Sequence, residues 1–318
     1  MTIFGMKNAR KQCKKGKKKM EKLNYDEFLS LLMNELDKRY PDMKKRTREI
    51  IKINEKKQGI LIECGKGICA TIYPLNLYDV YERVFEEPEF MEMILENIDS
   101  ALQYEFAQEY KRMLYRWCDI KQYVKPFVFN LEKNQQYIED TQIVFKQKLN
   151  LAYSCFVEFP EDKMGGSAQI NISRNLLELW QISEEELFRT AETNATFCIQ
   201  PMQKVIEDLM RAKTGVEIDL GERNLSYVIS TPKWHRGAAG MLWTELLEKH
   251  AEEMDDSFYI LPCSIHEAIL VNEADALTIE ELKCLVQEVN EMQVVPEDYL
   301  ADSVYYYNRY TKEVTIVA

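Results

Sequence analysis

The fold depends on one stretch, SFYILPCSIHEAILV, which spans Ser257–Val271. Two apolar runs flank a short polar connection, and the first run is rich in Phe, Tyr, Ile and Leu, as a strand buried on both faces is. Pro262 cannot donate a hydrogen bond to a sheet ladder, so it should end that strand. The second run, Ala268–Val271, is too short for a helix that buries a face. We therefore predict a hairpin at the centre of a sheet.

The connection of this hairpin holds a thiol, a hydroxyl, an imidazole and a carboxylate within five residues. Cys263 and His266 could act as a nucleophile and its base, so the candidate catalytic residues are Cys263, His266 and Glu267. Catalytic pairs usually come from different elements, however, and no glycine-rich oxyanion loop accompanies them. Ser264 and Glu267 also have the spacing of a capping box. The pattern therefore favours a structural turn over a reaction site.

The elements on either side of the hairpin follow from hydrophobic periodicity and cap signals. Upstream of the hairpin we predict a strand at Leu225–Ser230, an exposed loop at Thr231–Arg236 and a helix at Gly237–Met254. Downstream of it we predict a helix that begins at a capping box of Thr278 and Glu281, and then a last hairpin of Val304–Tyr307 with Val314–Val317. Aromatic and arginine side chains dominate contact energies in interfaces. Trp234, His235 and Arg236 are therefore candidate binding residues.

One further candidate lies on an earlier helix. Ser183 and Glu186 have capping-box spacing and predict a helix that runs through Cys198. Asn194 falls on the buried stripe of this helix, where its amide must find hydrogen-bond partners. It either ties down a neighbouring loop, which is the commoner case, or contacts a ligand.

The rest of the chain divides near Lys125-Pro126. We expect a basic disordered tail at residues 1–22, an α-β-β-β-α domain at 23–124 and an α+β domain at 125–318. The first domain is predicted to hold a helix at Tyr25–Tyr40, strands at Arg48–Asn54, Gly59–Cys64 and Ile68–Tyr73, and helices from Leu75 to Tyr123; the second opens with a strand at Phe127–Leu131 and a hairpin of Leu149–Phe159 with Ser167–Ile172 around the loop Asp162–Gly166. The fold class is α+β, with a mixed, largely antiparallel sheet and flanking helices.

Composition places the chain among ordinary soluble proteins, at 318 residues with 46% hydrophobic and 30% charged residues. It has neither a membrane-length apolar run nor the apolar core of a signal peptide, so we expect a cytoplasmic protein with eight free thiols. Cys64 and Cys69 could face each other across a hairpin as small buried hydrophobes. The three histidines form no metal-binding spacing, and CGKGIC lacks the rest of a P-loop. We expect no metal and no cofactor.

The net charge of −12 is unevenly spread. Residues 1–22 carry nine Lys or Arg against one Glu, which leaves −20 on the remainder. An acidic body argues against a broad nucleic-acid surface, because phosphate contacts need clustered cations. Nucleic acid is therefore expected as a partner only through the basic tail, Lys7–Lys22. Otherwise the expected partner is a protein or a small molecule.

Several segments together resemble a known family. They are TIYPLNLYDVYE, LLELWQISEEELFRTAETNA, FYILPCSIHEAILV, LVQEVN and VYYYN, in this order. The chain resembles the uncharacterised bacterial domain-of-unknown-function family 5688, whose members share an ILP-small-SxHE core. The likeness covers nearly the whole chain from Tyr25, and Pro262–Glu267 and Ala191–Asn194 match most specifically. It implies one continuous architecture and supplies no activity.

A more distant similarity bears on the chemistry of the turn. The order of elements is also similar to another uncharacterised bacterial family, in which a Pro-Ser-Arg-Asp turn takes the place of Pro262–Glu267. A reaction shared with that family would not use the imidazole of His266. This comparison argues against catalysis at the turn.

Two classes of function remain from the sequence. A non-catalytic binding or interaction protein needs no catalytic constellation and fits this motif-poor chain. The alternative is a hydrolase-type enzyme with its site at Pro262–Glu267. A pocket lined by Cys263, His266 and Asn194 would favour the enzyme, and a filled core at that place would favour the binding protein.

Overall fold

The computed structural model describes residues 22–64, 67–84, 87–103, 108–160, 168–221 and 226–318. Residues 1–21, the loop Asp162–Gly166 and the side chains of Cys64 and Cys69 lie outside what it describes, so the predictions made for them stay predictions. The chain forms two compact units. The first ends at Arg112, and the second comprises Ile53–Glu55 and Met113–Ala318. The predicted division into domains 23–124 and 125–318 stays a prediction.

The first unit follows the predicted α-β-β-β-α order. Its elements are α1 (Tyr25–Arg39), β1 (Lys44–Lys52), β2 (Glu55–Cys64), β3 (Gly67–Ile72), α2 (Pro74–Val84) and α3 (Glu87–Gln103), followed along the chain by α4 (Gln108–Leu114). The three strands form one sheet in the order β1-β2-β3. Helix α1 begins at a capping box between Asn24 and Glu27 and ends one residue before the predicted helix Tyr25–Tyr40 does.

The core of this unit follows from helical spacing. Phe28, Leu32 and Leu36 recur every four residues on one face of α1 and are fully buried. They belong to the same apolar cluster as Ile60 and Ile62 of β2. One face of the helix therefore closes this unit's core.

The second unit contains the remaining elements. They are α5 (Trp117–Ile120), β4 (Val124–Asn130), α6 (Gln135–Thr141), β5 (Phe145–Lys148), β6 (Leu151–Glu158), β7 (Gln169–Asn171), α7 (Arg174–Trp180), α8 (Glu184–Thr193), β8 (Cys198–Pro201), α9 (Met202–Thr214), β9 (Ser226–Ser230), α10 (Thr244–Met254), β10 (Phe258–Pro262), β11 (Ala268–Asn272), α11 (Ile279–Met292), β12 (Tyr305–Asn308) and β13 (Glu313–Ile316). Short 3-10 helices lie at Lys121–Tyr123, Gly237–Leu242, Glu273–Asp275 and Pro296–Asp298.

The central hairpin is confirmed. Strands β10 and β11 pair antiparallel, from Phe258 opposite Asn272 to Pro262 opposite Ala268. They are the two middle strands of a six-stranded sheet with the order β13-β12-β10-β11-β9-β8. Helices cover both of its faces: Phe258 packs on His250 of α10, and Leu261 shares a cluster with residues of α11. This double burial explains why the run lacks alternation.

A second sheet, with the order β4-β6-β5 and with β7 paired to β6, accompanies the first. The α+β class is confirmed, and every strand pair recorded in the described residues of this unit is antiparallel. The sequence predicts one mixed sheet here, whereas the structure has two antiparallel ones. Strand β5 was not predicted, because its four residues are too few to show a period.

Two predicted helices are wrong in extent. The helix capped by Ser183 ends at Thr193 instead of Cys198, and Cys198–Pro201 forms the edge strand β8. The predicted helix Gly237–Met254 is a 3-10 helix to Leu242 followed by α10. Within the described residues, no helix combines the length and apolar character needed to cross a membrane.

Candidate functional site

The polar groups of the central turn satisfy one another. The backbone N–H groups of Cys263 and Ser264 both donate to the carbonyl oxygen of Glu267, at 3.2 Å. The Ser264 hydroxyl accepts from the backbone N–H of His266 at 3.0 Å and donates to the Glu267 carboxylate at 2.9 Å. Among the described residues, no backbone amide donates to the Glu267 carboxylate, so the cap expected from the capping-box spacing is not formed. The carboxylate instead accepts from the serine hydroxyl that caps the turn.

Both ring nitrogens of His266 are engaged inside the protein. Its Nδ1 accepts from the backbone N–H of Arg236 at 3.0 Å, so the ring proton of the neutral form lies on Nε2. That Nε2 lies 3.1 Å from Oδ1 of Asp298 and donates to it. Each nitrogen of this imidazole therefore has a partner within the protein.

The thiol of Cys263 has a raised pKa. Burial, together with the nearby Glu267 carboxylate, raises the pKa of its thiol to about 12. The thiol is therefore protonated at neutral pH, and its Sγ lies 3.8 Å from the carbonyl oxygen of Leu261. A reactive cysteine requires the opposite shift of its pKa.

The loop Thr231–Arg236 is not exposed throughout, which corrects the prediction. Trp234 is 41% exposed, but His235 and Arg236 turn inward. The backbone passes through the left-handed region at Trp234 (φ 53°) and again at Arg236 (φ 51°). Such residues persist only where their surroundings hold them, and they concentrate at functional sites.

The turn holds this loop in place. The carbonyl oxygen of His266 accepts from the backbone N–H of Gly237 at 2.9 Å and from the Ser230 hydroxyl at 2.8 Å. The approach is close enough to require a glycine. A Cβ on Gly237 would lie 2.4 Å from the backbone nitrogen of Thr231.

Contacts of its side chain also hold Arg236 in place. Its guanidinium carbon lies 4.3 Å from the ring centroid of Phe127 and 4.5 Å from that of Phe156. Its Nη1 donates to Oδ1 of Asn171 at 2.7 Å. Burial lowers the pKa of the guanidinium to about 10, so it remains charged at neutral pH.

Arg236 lines an open cleft with a volume of about 180 Å³. The lining comprises Lys125, Pro126, Phe156, Glu158, Ala195, Thr196, Phe197, Thr231, Pro232, Lys233, His235 and Arg236. The residues come from β4, β6, the chain after α8 and the loop after β9. Cys263, His266 and Asn194 are not among the described residues that line it.

The cleft carries a net positive charge. Three basic side chains and one acidic side chain line it, and the acidic one, Glu158, is already paired. Nζ of Lys125 lies 2.7 Å from one oxygen of Glu158, and Nζ of Lys233 lies 3.8 Å from the other. Burial works to raise the pKa of Glu158, but the hydrogen bond from Lys125 and the charges of Lys125 and Lys233 together outweigh burial, and the pKa is lowered.

His235 adds a neutral ring to the cleft. Its Nε2 lies 3.0 Å from Oε1 of Gln169, and its ring centroid lies 5.0 Å from that of His266. Burial, followed by the charge on Arg236, lowers the pKa of His235 to about 4. The ring is therefore uncharged at neutral pH, and the positive charge of the cleft belongs to Arg236 and the lysines.

Asn194 ties down a neighbouring segment, which is the first of its two predicted roles. Its Nδ2 donates to the carbonyl oxygens of Lys121, at 2.7 Å, and Val124, at 3.0 Å. Lys121 begins the 3-10 helix that precedes β4, and Val124 is the first residue of β4. Asn194 thus joins the end of α8 to the strand that carries Lys125, and the chain after it runs along the cleft.

Sequence reasoning missed most of the residues that surround Arg236. Phe127, Phe156, Asn171 and Glu158 lie on strands β4, β6 and β7, more than 60 positions from Arg236. The pairing of β4 with β6 brings Lys125 opposite Phe156. No local motif marks them, because each is an ordinary strand residue whose role depends on the partner strand. In the described part of the chain, no three His, Cys, Asp or Glu side chains converge so as to hold a metal ion.

Together, fold and site define an α+β protein of antiparallel sheets with a basic, partly apolar cleft. The chain belongs to DUF5688, a family of unknown function whose model matches residues 25–309. This confirms the resemblance drawn from the sequence. No curated protein and no solved structure matches the chain.

Proposed function

We propose that the protein is a non-catalytic binding protein that takes a small ligand in the cleft at Arg236. The observation that carries this proposal is the fixed guanidinium of Arg236, which lines an open cleft with apolar walls. Small-molecule sites are concave, mostly apolar and supplied with a few positioned polar groups. This cleft has those properties.

The central turn supports binding over catalysis. The Cys263 thiol is held protonated, and both nitrogens of His266 have partners within the protein. A general base must reach the proton that it abstracts, and His266 has no free nitrogen with which to do so. We therefore assign His266 a positioning role, in which it holds the backbone of Arg236.

A fragment screen followed by backbone amide NMR tests the proposal. Ligands of the cleft should shift the amides of Ala195–Phe197 and Thr231–Arg236 together. Shifts confined to Cys263–Glu267, or hits spread over the surface, would contradict it.

A blocking variant with a matched control sharpens this screen. Thr196 is exposed and lines the cleft, so Thr196→Trp should fill the cleft at little cost in stability. Thr193, exposed at the end of α8, lies outside the cleft lining, and Thr193→Trp is the control. Ligand-induced shifts should vanish in the first variant and persist in the second.

We also propose a cytoplasmic location, supported by thiol chemistry. Cys118, Cys155, Cys198, Cys263 and Cys284 are free thiols in the structure. Free cysteines are typical of a reducing compartment. Alkylation of the unfolded chain without reductant should label all eight cysteines, and a stable disulfide in protein from a reducing cytoplasm would contradict this.

A further inference from the structure

Resting on the proposed function, we infer that the ligand is a small organic oxyanion, a carboxylate or phosphate head group on an apolar body. The head group would bind the Arg236 guanidinium, and the body would lie against the apolar walls of the cleft. Charge, hydrogen-bonding capacity and wall composition support this inference separately.

The charge of Arg236 is not neutralised by contact. Among the described residues, no carboxylate contacts its guanidinium, and its side-chain hydrogen bond goes to the neutral amide of Asn171. The carboxylate that lines the cleft, Glu158, is engaged by Lys125 and Lys233. Arg236 is half-buried, and an arginine partly removed from water without an anionic partner is unfavourable. A bound anion would offset part of that cost. The cleft is cationic although the whole chain carries −12.

The guanidinium also has unused donors. An arginine side chain carries five N–H donors in a planar fork, which matches the two oxygens of a carboxylate or phosphate. In the described structure, Nη1 of Arg236 is used by Asn171, and no protein acceptor is recorded for Nε or Nη2. These two nitrogens form one edge of the fork, which suits a bidentate oxyanion.

The walls of the cleft favour an organic anion over an inorganic one. Pro126, Phe156, Ala195, Phe197 and Pro232 supply apolar surface beside the charged groups. An apolar body that covers this surface adds hydrophobic binding energy, which a phosphate ion alone cannot gain. A monoanion of about the size of benzoate combines both features.

Matched probes separate the anion inference from the proposed function. We would measure dissociation constants for benzoate, phenyl phosphate and the neutral isostere benzamide by amide NMR titration of the whole chain. Benzoate or phenyl phosphate should bind at the cleft at least about tenfold more tightly than benzamide, because only the anions make charge-assisted bonds to Arg236. The ratio between the two anions identifies the head group, and inorganic phosphate reports the contribution of the head group alone.

Substitutions in the cleft identify the residues that cause the preference for anionic probes. Arg236→Met removes the charge at similar length and should abolish the preference for anions; Arg236→Lys should retain only part of it. Since Arg236 contacts the core, Lys233→Met provides a second test at a side chain that is 58% exposed. It should weaken benzoate binding severalfold, whereas Lys249→Met, at a lysine 73% exposed on α10, should not.

The outcomes are distinguishable. Equal binding of benzamide and benzoate at the cleft amides would overturn the anion inference and leave the proposed function standing. Anion binding that is unchanged in both Arg236→Met and Lys233→Met would also overturn it. If no probe binds, the anion inference fails, and the fragment screen with its Thr196→Trp control then decides the proposed function.

Discussion

Arg236 is held at two places by different neighbours. Its backbone N–H donates to the His266 ring, and its guanidinium contacts both Phe127 and Phe156. The left-handed backbone at Arg236 costs about 1–2 kcal/mol relative to ordinary conformations. The hydrogen bonds around His266 offset this cost and fix where the guanidinium lies.

The first prediction concerns His266. His266→Ala should lower the free energy of unfolding by about 1–3 kcal/mol, because it removes the partners of the Arg236 N–H and of Asp298. His266→Asn should restore part of this loss, because its amide oxygen can replace Nδ1 as the acceptor. Denaturant unfolding measures both. An alanine variant as stable as wild type, or an asparagine variant no better than alanine, would contradict the positioning role.

The second prediction concerns thiol reactivity. At pH 8, the exposed Cys118 and Cys284 should react with iodoacetamide at least about tenfold faster than Cys263, because the raised pKa leaves Cys263 almost no thiolate. Peptide mass spectrometry gives the rate at each site in the folded protein. A Cys263 that reacts as fast as the exposed thiols would revive the nucleophile hypothesis.

At the scale of elements, the cleft depends on how the 3-10 helix Gly237–Leu242 meets β9. Gly237 approaches the backbone of Thr231, and Gly240 approaches the side chain of Ile229. The sequence predicts one continuous helix here, because Ala238, Met241 and Leu242 recur at helical steps. The close approach to β9 and the break at Trp243 arise from tertiary contacts that periodicity does not report.

The third prediction compares these two glycines. Gly237→Ala should destabilise the protein by about 1–3 kcal/mol, because its new Cβ would lie 2.4 Å from the backbone nitrogen of Thr231. Gly240→Ala should cost less, because its nearest neighbour is the end of the Ile229 side chain, at 2.9 Å. Thermal unfolding of both variants tests this order, and equal losses would contradict the account of the close approach.

Elements with local sequence signals could be predicted from the sequence, whereas elements that depend on distant strand pairing could not. The hairpin β10–β11 and the helix opened by Thr278 were predictable, because their signals are local: a proline at a strand end and a capping box. The helix capped by Ser183 was predicted to run through Cys198 but ends at Thr193, because Cys198–Pro201 pairs with β9 as a strand of the sheet. Distant pairing overrode the local pattern.

For the molecule as a whole, the buried His250 and the half-buried His235 link stability to pH. Burial lowers the pKa of both His235 and His250 to about 4. The unfolded chain binds protons on these rings below about pH 6.5, whereas the folded chain does not. Their contribution to stability is therefore complete above about pH 6.5 and is lost as the pH falls towards about 4.

The fourth prediction follows from this linkage. The denaturant midpoint should fall between pH 7 and pH 4.5, and His250→Phe should flatten the dependence. His250 is 4% exposed, and its Nε2 has no hydrogen-bond partner among the described residues, so a phenyl ring can take its place beside Tyr227 and Phe258. An unchanged pH dependence in His250→Phe would contradict the assignment.

The candidate site was only partly predictable for a related reason. His235 and Arg236 were identified from residue type alone, since arginine and aromatic groups dominate binding energies. Their inward direction was not predicted, because it depends on the left-handed backbone and on the His266 ring. The two sheets that surround the cleft meet only in the folded chain.

The most direct test of the account is the Nε–H resonance of Arg236 in the ¹⁵N-labelled protein. Two phenyl rings contact the guanidinium, so this resonance should be displaced by ring currents in the free protein. Titration with benzoate should move it downfield as a charge-assisted hydrogen bond forms, together with the amides of Ala195–Phe197. A resonance that stays fixed while benzoate binds elsewhere, or that moves equally with benzamide, would contradict the claim that Arg236 anchors an anionic ligand.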